Sequence, residues 1–505
     1  MEAVCDEMGA VLRNAAFSPN IRDRLDFSCA VFDQQGELCA QAAHIPVHLG
    51  SMAFAMHGIV AQLEWQAGDM VILNNPYLGG THLPDVTLIT PLFISDKLTA
   101  FVVNRAHHAD IGAESPGSMP ISTSLHEEGQ IIGPVHLIQG GVLDQDLLEN
   151  LTSNTRNPEE SYGDFAAQIS ANRTGLARLQ ALITARGIEG FFAGLQALNS
   201  YGEKLALDAL RTIPDGEYQF QDWMDDDGQG NKDIPIQVTL TVSNGTVAAD
   251  FTGSAPQVSG NINAPLSVAA AAVYYVFRCL MPSYTPACAG TFRPISLHAS
   301  EGTLLNALYP AAVAAGNVET STRLVDVVMG ALAKALPQQI PAASHGSMNN
   351  IAMGGKTATG HWDYYETIGG GMGASAQYHG LSGLQTHMTN TLNTPIEVLE
   401  SRFPLRISRY QLRHESGGEG LHKGGDGLIR EFKFLSPATV TLLTERRSHQ
   451  PWGIAGGAPG QSGQNSLNNE PLPGKICKQL KPGQRLTIKT PGGGGFGSTT
   501  QNMKD

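Results

Sequence analysis

Cysteine and charge are both scarce in this sequence. Its 505 residues include 6 cysteines and no CxxC pair, which excludes a disulfide-rich scaffold and argues against a zinc site built from thiolates. Charged residues make up 15% of the chain, below the roughly one quarter that is usual for soluble domains. Together with 57 glycines, this low charge suggests that internal layers or partner subunits cover much of the surface.

The chain also lacks a positive balance of charge and a long apolar run. A net charge of −14 argues against nucleic-acid binding, which needs a basic face. The longest apolar stretch, residues 268–281, contains Arg278 and is too short to span a bilayer. The N-terminus carries Glu2 and Asp6 instead of the basic start and apolar core of a signal peptide. The sequence therefore predicts a cytoplasmic protein that binds neither nucleic acid nor membrane.

Hydrophobic periodicity predicts an α+β chain with a multilayer mixed fold, in which β-hairpins carry a metal site and the C-terminal part is rich in β-strands. Helical spacing is clear in residues 1–16 and 51–65, and a hairpin turn is predicted at Asn244-Gly245. The chain contains no internal repeat and no long linker. The predicted regions are 1–140 (metal-site hairpins), 141–215 (helical), 216–400 (mixed α/β core) and 401–505 (β-rich and glycine-rich), and we expect them to interlock.

The most informative segment is the hairpin predicted between residues 81 and 110. The loop NNPYLGGTHLPD leads into the strand VTLITPLFI, and the return strand LTAFVVN ends in RAHHAD. If the turn centres on Asp96, residues whose numbers sum to 192 face each other, so Asp85 lies opposite His107 with His82 beside them. Directly opposed residues have Cβ atoms ~4.5–5.5 Å apart and can share one metal ion. A slip of one residue would separate Asp85 from His107.

An earlier hairpin, turned near residue 34, places Asp26 close to His44 and offers a fourth ligand if the two hairpins are neighbours. Two imidazoles and two carboxylates suit Mn²⁺, Fe²⁺ or Zn²⁺. His108 and Asp110, next to the predicted ligands, are candidate acid–base residues or supporting groups. A lone His-x-x-Asp is more often a hydrogen-bonded turn, and the pattern alone leaves that alternative open.

No nucleotide-binding loop is evident. Gly-Lys-Thr at 355–357 lacks the upstream glycine of a phosphate loop, because position 350 is asparagine. IGGGMGA at 368–374 reads as glycine-rich turns in a packed core. TPGGGGFG at 490–497 could hold an anion with its backbone amides, but a flexible turn is the preferred interpretation. If the protein uses ATP, we expect another subunit to bind it.

A series of long motifs extends from about residue 10 to residue 497. They are RDRLDFSCAVFD, AHIPVHLGSM, NNPYLGGTHLPDVTL, NRAHHADIG, SANRTG, GNINAPLS, GNVETS, ETIGGGMGA, THMTNTLNTP, LLTERR and TPGGGGFG. In these motifs the chain resembles the hydantoinase B/oxoprolinase family. Relatives in that family include subunits of N-methylhydantoinases, 5-oxoprolinases, caprolactamase, and the acetone and acetophenone carboxylases.

The resemblance implies a division of labour between two subunits. A hydantoinase A-type partner, similar to an actin-like ATPase, binds ATP-Mg and phosphorylates the carbonyl or enol oxygen of a small substrate. The B-type subunit carries a divalent metal (Mn, Zn or Fe), whose ligands by motif would be Asp26 in LDFS, His82 and Asp85 in THLPD, and His107 in RAHH. We therefore expect a hetero-oligomer, such as a heterotetramer, that acts on a small cyclic amide.

The expected reaction is hydrolysis of a cyclic amide that the partner has activated. Amide resonance makes the carbonyl a poor electrophile, and phosphorylation of its oxygen makes the carbon more electrophilic. A metal ion that lowers the pKa of water would supply the nucleophile. The alternative within the family is ATP-dependent carboxylation of a ketone at the same metal site. A non-haem iron oxygenase would also use two histidines and a carboxylate, although with a different spacing. A scaffold whose metal only braces loops is the non-enzymatic alternative.

Overall fold

A seven-stranded antiparallel sheet forms the N-terminal part of the chain. The computed structural model describes residues 1–42, 44–358 and 360–498. The strands of this sheet are β1 (Phe27–Asp33), β2 (Leu38–Gln41), β3 (Met70–Leu73), β4 (Asp85–Ile94), β5 (Lys97–His107), β6 (Val135–Gln139) and β7 (Val142–Leu143). Their spatial order is β2-β1-β5-β4-β3-β6-β7, so the two predicted hairpins are neighbours.

Helices cover both faces of this sheet. The helices of the chain are α1 (Glu2–Ala15), α2 (Pro19–Arg22), α3 (Pro46–Ala61), α4 (Gln145–Ser153), α5 (Pro158–Arg186), α6 (Ile188–Leu210), α7 (Leu266–Cys279), α8 (Ala289–Phe292), α9 (Ser321–Ala335) and α10 (Ile396–Arg402). Alternate residues of a strand point to opposite faces. Cys29 and Val31 accordingly pack with α1 and α5, whereas Ala30 and Phe32 pack with α3. Within the described ranges, no helix has the length and apolarity needed to cross a membrane.

The helix predicted at residues 51–65 begins earlier than expected, because Pro46 occupies its first turn, where the fixed φ of proline is favourable. It packs against α7, and α7 packs in turn against α9. Helix α9 lies on a second sheet of β8 (Gly216–Asp226), β9 (Lys232–Ser243), β10 (Thr246–Asp250) and β11 (Ile295–His298), in the order β11-β10-β9-β8. Layers of helix and sheet thus follow one another, which confirms the predicted multilayer α+β fold.

The hairpin between β9 and β10 turns at Asn244 and Gly245, as predicted. Both residues have positive φ, 50° and 82°, and this left-handed backbone matches the twist of the two strands.

The C-terminal part is a sandwich of two smaller sheets. Its strands are β12 (Asn350–Thr357), β13 (Gly360–Glu366), β14 (Leu405–Arg413), β15 (Gly427–Phe434), β16 (Ala438–Leu443), β17 (Gln464–Leu467), β18 (Glu470–Leu472), β19 (Lys475–Leu480) and β20 (Arg485–Lys489). One sheet has the order β13-β12-β16-β19 and the other β14-β15-β20-β17-β18. Apolar residues of both sheets, such as Met353, Val440 and Phe432, form a common core. The first sheet combines strands from both sides of residue 400.

TPGGGGFG is not the flexible turn that its composition suggested. Residues 490–497 are buried, and their backbone is hydrogen-bonded to several distant segments. The amides of Gly493, Gly494 and Gly495 donate to the carbonyls of Gly425, Ala343 and Ala458 at 2.8–2.9 Å. Backbones approach so closely here that no side chain fits between them. We call residues 371–373, 416–418, 424–425 and 492–495 the glycine layer.

Candidate metal centre

The second hairpin places Asp85 directly opposite His107, as the sequence predicted. The reason is less simple than the prediction assumed. The turn consists of residues 95–96, both with positive φ, and by itself it would pair Asp85 with Ala106. A β-bulge leaves Thr99 without a cross-strand partner and shifts the register by one residue. The turn and the bulge together bring the carboxylate and the imidazole face to face.

The two hairpins are neighbours, which was the predicted condition for Asp26 to join the site, and Asp26 lies beside the cluster without belonging to its compact group of three ligand residues. Strand β1 pairs with β5, so Asp26 lies next to His107, whose amide donates to the Asp26 carbonyl at 3.0 Å. The Asp26 carboxylate lies 3.8 Å from the Arg24 guanidinium. His44, the expected neighbour of Asp26, instead accepts a hydrogen bond from the Cys29 amide at 3.1 Å.

His82, Asp85 and His107 form a compact buried cluster. Their nearest ligand atoms all lie within 4.8 Å of one another. Oδ1 of Asp85 is 3.2 Å from Nε2 of His82 and 3.1 Å from Nδ1 of His107. All three residues are almost completely shielded from solvent. The loop that enters β4 supplies His82, the first residue of β4 supplies Asp85, and the last residue of β5 supplies His107.

The second carboxylate oxygen of Asp85 has its own set of partners. Oδ2 accepts hydrogen bonds from the Thr81 hydroxyl at 2.5 Å and the Asn317 amide at 3.2 Å, and it lies 3.1 Å from Nε2 of His48. His48 belongs to the first turn of α3, and Asn317 to a π-helical turn, Gly316–Thr320, that precedes α9. Sequence reasoning missed both residues, because nothing in local spacing connects them to Asp85.

These contacts determine the ionisation of the cluster. Burial by itself would raise the pKa of Asp85, but the positive charges of His48 and His82, with hydrogen bonds from His107 and His48, lower it well below its usual range. For His82, burial lowers the pKa, yet the charge of Asp85 raises it overall. Burial lowers the pKa of His107, which favours the neutral imidazole that metal binding requires.

The cluster fits a divalent metal ion because it leaves ligand atoms unsatisfied. Nε2 of His107 and Oδ1 of Asn317 have no hydrogen-bond partner among the described residues, and Nε2 of His82 faces only Oδ1 of Asp85, at 3.2 Å. Nδ1 of His82 donates to the Ala314 carbonyl at 3.2 Å, so Nε2 is the nitrogen that faces Asp85 and that a metal ion would bind after losing its proton. Leaving a buried polar atom unpaired costs about 1–3 kcal/mol. A cation of the Mn, Fe or Zn type would remove that cost.

A narrow cavity adjoins the cluster. Its wall includes Asp26, His48, His107 and Asn317, together with apolar side chains such as Val47. Its volume of about 20 Å³ is enough for a water molecule or an ion, but not for an organic substrate.

The ring of Tyr365 holds His107 from one side. The two rings are stacked with centroids 4.9 Å apart and an angle of 12° between their planes. The tyrosine hydroxyl donates to Oδ1 of Asn350 at 2.7 Å, and the Arg24 guanidinium lies 4.8 Å from the ring centroid. The Asn350 amide donates in turn to Glu319 at 2.6 Å. This buried chain of contacts restricts the orientation of the His107 imidazole.

With this geometry established, comparison with known proteins identifies the family. The family model described as hydantoinase B/oxoprolinase matches residues 1–499. The chain belongs to the hydantoinase B/oxoprolinase family. Its relatives include the B-type subunit of a putative D-/L-hydantoinase of Pseudomonas sp., which is 33% identical over 99% of this chain and 88% of that protein. 5-Oxoprolinase 1 of Arabidopsis thaliana is 39% identical over 98% of this chain and 41% of that protein, so the chain spans about two fifths of the plant enzyme.

Two solved structures have the same fold as this chain. The ATP-dependent caprolactamase of Pseudomonas jessenii superimposes with a TM-score of 0.92 at 27% identity, over 98% of this chain and 89% of that chain. A nucleotide-free acetone carboxylase superimposes with a TM-score of 0.88 at 17% identity, over 98% of this chain and 74% of the other, and this likeness concerns the fold alone.

The structure of this hydantoinase B/oxoprolinase family member places His108 and Asp110 away from the cluster. Nε2 of His108 donates to Oε1 of Gln168 at 2.9 Å, on the side of the sheet covered by α5. The Asp110 carboxylate accepts hydrogen bonds from the Ser118 hydroxyl and from the amide and guanidinium of Arg156. The acid–base role predicted for them stays a prediction, and their contacts favour a role in holding the surrounding loops.

Glu128 is a buried acid behind His82 that sequence reasoning did not single out. Its Oε1 accepts hydrogen bonds from the amides of Val313 and Ala314, and Ala314 is the residue whose carbonyl orients His82. Oε2 has no partner among the described residues. Burial raises the pKa of Glu128 from 4.5 to about 7. The folded protein therefore favours the protonated acid.

We expect Glu128→Gln to flatten the dependence of stability on pH. The raised pKa means that Glu128 contributes no penalty below pH 4.5, and that folding loses stability as the pH rises through about 7. At higher pH the penalty is about 3 kcal/mol, since one pKa unit corresponds to about 1.4 kcal/mol. Urea unfolding of the wild type and the variant between pH 5 and pH 9 measures it. A difference in unfolding free energy that stays constant over this range would contradict the assignment.

Proposed function

We propose that this chain is the metal-dependent subunit of a two-subunit, ATP-dependent cyclic amidase of the hydantoinase, oxoprolinase or lactamase type. In this proposal the partner phosphorylates a small cyclic amide, and this chain hydrolyses the activated product. The observation that carries the proposal is the buried cluster of His82, Asp85 and His107, with an unpartnered Nε2 on His107. The family membership and the 27% identity to an ATP-dependent caprolactamase support it.

The residues of the site have distinct roles in this proposal. His82, Asp85 and His107 hold the metal ion, and Asp26 is the candidate fourth ligand. The bound ion supplies Lewis acidity and lowers the pKa of water towards neutrality. Asp85 also orients both imidazoles, since its Oδ1 lies within 3.2 Å of each. Tyr365 limits rotation of the His107 ring through its stacked position.

The lining of the cavity suits a small cyclic amide. Ile45, Val47 and Met348 provide apolar contact for ring methylenes, whereas Asp26 and Thr389 provide polar contact for an amide edge. Because the cavity holds only about 20 Å³, the substrate can enter only if the wall moves. We propose that association with the partner or the substrate opens it.

ATP-Mg is assigned to a hydantoinase A-type partner. Gly355, Lys356 and Thr357 lie inside strand β12 and do not form a phosphate loop between a strand and a helix. The Pseudomonas relative is named as one subunit of a hydantoinase, which supports a hetero-oligomeric enzyme, such as a heterotetramer.

Carboxylation of a ketone is the alternative reaction at the same site. The acetone carboxylase shares 17% identity with this chain, whereas the caprolactamase shares 27% and the hydantoinase subunit 33%. These values favour the amidase.

The test is to purify the chain together with the hydantoinase A-type protein of the same genome and to measure bound metal and turnover. Hydantoin, N-methylhydantoin and 5-oxoproline are tested for ATP-dependent ring opening, and acetone with bicarbonate tests the carboxylase alternative. We expect stoichiometric Mn, Fe or Zn and ring opening of a cyclic amide. His82→Ala and His107→Ala should lose both, because each removes one ligand.

His136→Ala is the matched control, since His136 belongs to the same sheet but pairs with Asp69 outside the cluster. Protein that retains metal and turnover after both cluster substitutions would refute the proposal. Variants that fail to assemble with the partner, while the wild type contains metal but opens no ring, would favour a scaffold.

A further inference from the structure

A second pocket lies on the five-stranded sheet of the C-terminal sandwich and shares no residue with the metal cavity. Its volume is about 560 Å³, which is within the range of small-molecule sites. Three basic side chains line it, those of Arg409, Arg447 and Lys489. We call it the C-terminal basic pocket.

The basic side chains of this pocket lack counter-ions. Among the described residues, no carboxylate lies within 4.0 Å of the charged nitrogens of Arg409, Arg447 or Lys489. The one acid in the lining, Glu431, is engaged by the Arg485 guanidinium at 3.4 Å and the Thr487 hydroxyl at 3.1 Å. In a chain with a net charge of −14, three cations around one pocket without an ion pair within 4.0 Å are unexpected. An anionic ligand would account for them.

Arg447 is held rigidly at this site. Its Nη1 donates to Oδ1 of Asn349 at 2.7 Å, and its Nη2 donates to Oδ1 of Asn465 at 2.9 Å. Nε is shielded from solvent and has no partner among the described residues. Burial lowers the pKa of Arg447 to about 10, and the nearby acids Glu319, Asp225 and Glu445 offset only part of that effect. The guanidinium is thus oriented in advance, and an added anion would stabilise its charge.

The backbone of Gly463 packs closely against this guanidinium, with no room for a side chain between them. A Cβ atom at Gly463 would lie 2.8 Å from Cζ and 3.0 Å from Nε of Arg447. The φ of Gly463 is not in the left-handed region, so the backbone itself would accept a side chain. A methyl group at this position would therefore press on the guanidinium, whereas glycine does not.

Neutral hydrogen-bonding groups complete the lining. Register places Arg409 opposite Glu431, Glu431 opposite Thr487, and Thr487 opposite Ser466, so this row crosses one face of the sheet. Two residues further along β20, Lys489 lies opposite Gln464 on the same face. Hydroxyl and amide groups beside cations are suited to the oxygen atoms of a phosphate.

We infer that the C-terminal basic pocket binds a small molecule that carries a phosphate group. A guanidinium matches the oxygens of phosphate in geometry and charge. Long polyanions such as nucleic acids are unsuitable ligands. They would extend outside the pocket, where the net negative charge of the chain repels them. The volume exceeds that of orthophosphate, so an organic phosphate can also be accommodated. This site does not depend on the proposed function of the metal centre.

The experiment is titration calorimetry on the complex with the partner subunit, using inorganic phosphate, an alkyl phosphate, ADP and acetate. The arms distinguish free phosphate from an organic phosphate or a nucleotide. Arg409→Gln and Lys489→Gln should each weaken phosphate binding at least about 10-fold, because each removes a charge-assisted hydrogen bond to the phosphate. Gly463→Ala should weaken it without any change of charge.

Arg406→Gln and Lys481→Gln are the matched controls. Arg406 is an exposed arginine of the same strand, β14, that pairs with Glu400, and Lys481 is an exposed lysine just before β20. Neither lines the pocket, so phosphate affinity should not change.

Two outcomes would overturn the inference. One is the absence of saturable phosphate binding up to about 10 mM, which corresponds to less than about 3 kcal/mol of binding free energy. The other is equal affinity in Arg409→Gln, Lys489→Gln and the two controls. None of these substitutions touches the metal cluster. Ring opening measured on Arg406→Gln and Lys481→Gln therefore tests the proposed function independently of phosphate binding.

Discussion

Asp85→Asn is expected to abolish metal binding and to lower ATP-dependent ring opening by more than about 100-fold, since even residues that only support metal ligands contribute 10- to 100-fold. The substitution keeps the shape of the side chain but removes its charge. The oxygen that lies near both His82 and His107 then no longer attracts a cation, and His48 loses the carboxylate 3.1 Å away. Metal analysis and single-turnover ring opening measure the two effects.

Asp69→Asn provides the control for this substitution. Asp69 is also buried, also lies beside a strand of the seven-stranded sheet, and also faces a histidine, His136, at 3.4 Å, but it is not part of the cluster. We expect it to cost stability and to leave the metal content unchanged. If Asp85→Asn retained stoichiometric metal, the metal would be bound elsewhere in the protein. The cluster would then be a hydrogen-bonded network without a metal, and the central proposal would be wrong.

Gly424→Ala is expected to destabilise the fold by at least about 3 kcal/mol, because overpacking a tight interior typically costs 1–3 kcal/mol and backbone cannot move aside as a side chain can. A Cβ atom on Gly424 would lie 2.0 Å from the carbonyl oxygen of Gly493. Relief requires separating two hydrogen-bonded backbone segments of the glycine layer. Urea unfolding, or the soluble fraction if the variant does not fold, measures the effect.

Gly190→Ala is the matched control. Gly190 lies in α6, and a Cβ there would meet no atom within 4 Å. Alanine should be neutral or should stabilise this helix by up to about 1 kcal/mol. Equal stability of Gly424→Ala and Gly190→Ala would show that the glycine layer is loosely packed.

The local part of the site could be predicted from the sequence. His82, Asp85 and His107 belong to one hairpin, and both the alternation of a strand and the position of a turn can be read from residue types. The sequence predicted the partner of Asp85 correctly, although it centred the turn on residue 96 and the structure centres it between residues 95 and 96. The bulge at Thr99 compensated for that difference, and no residue type in LTAFVVN indicates a bulge.

The remainder of the site depends on contacts between distant parts of the chain. His48 approaches Asp85 from α3, Asn317 approaches it from a π-helical turn, and Tyr365 reaches His107 from β13. Periodicity contains no information on which elements become neighbours, so these three residues could not be predicted. TPGGGGFG was misread for the same reason, because glycine favours a flexible turn locally and close backbone packing when other segments surround it.

The position of the glycine layer also determines when these segments can finish folding during biosynthesis. Residues 492–495 fill the space between segments that leave the ribosome much earlier, the first of them at Ala343, whose carbonyl accepts a hydrogen bond from the Gly494 amide. At about 5–20 residues per second, the roughly 150 intervening residues take about 8–30 s to synthesise. During that interval the amides and carbonyls that later pair with residues 492–495 lack these partners. The segments of the glycine layer therefore reach their final packing only after TPGGGGFG has emerged.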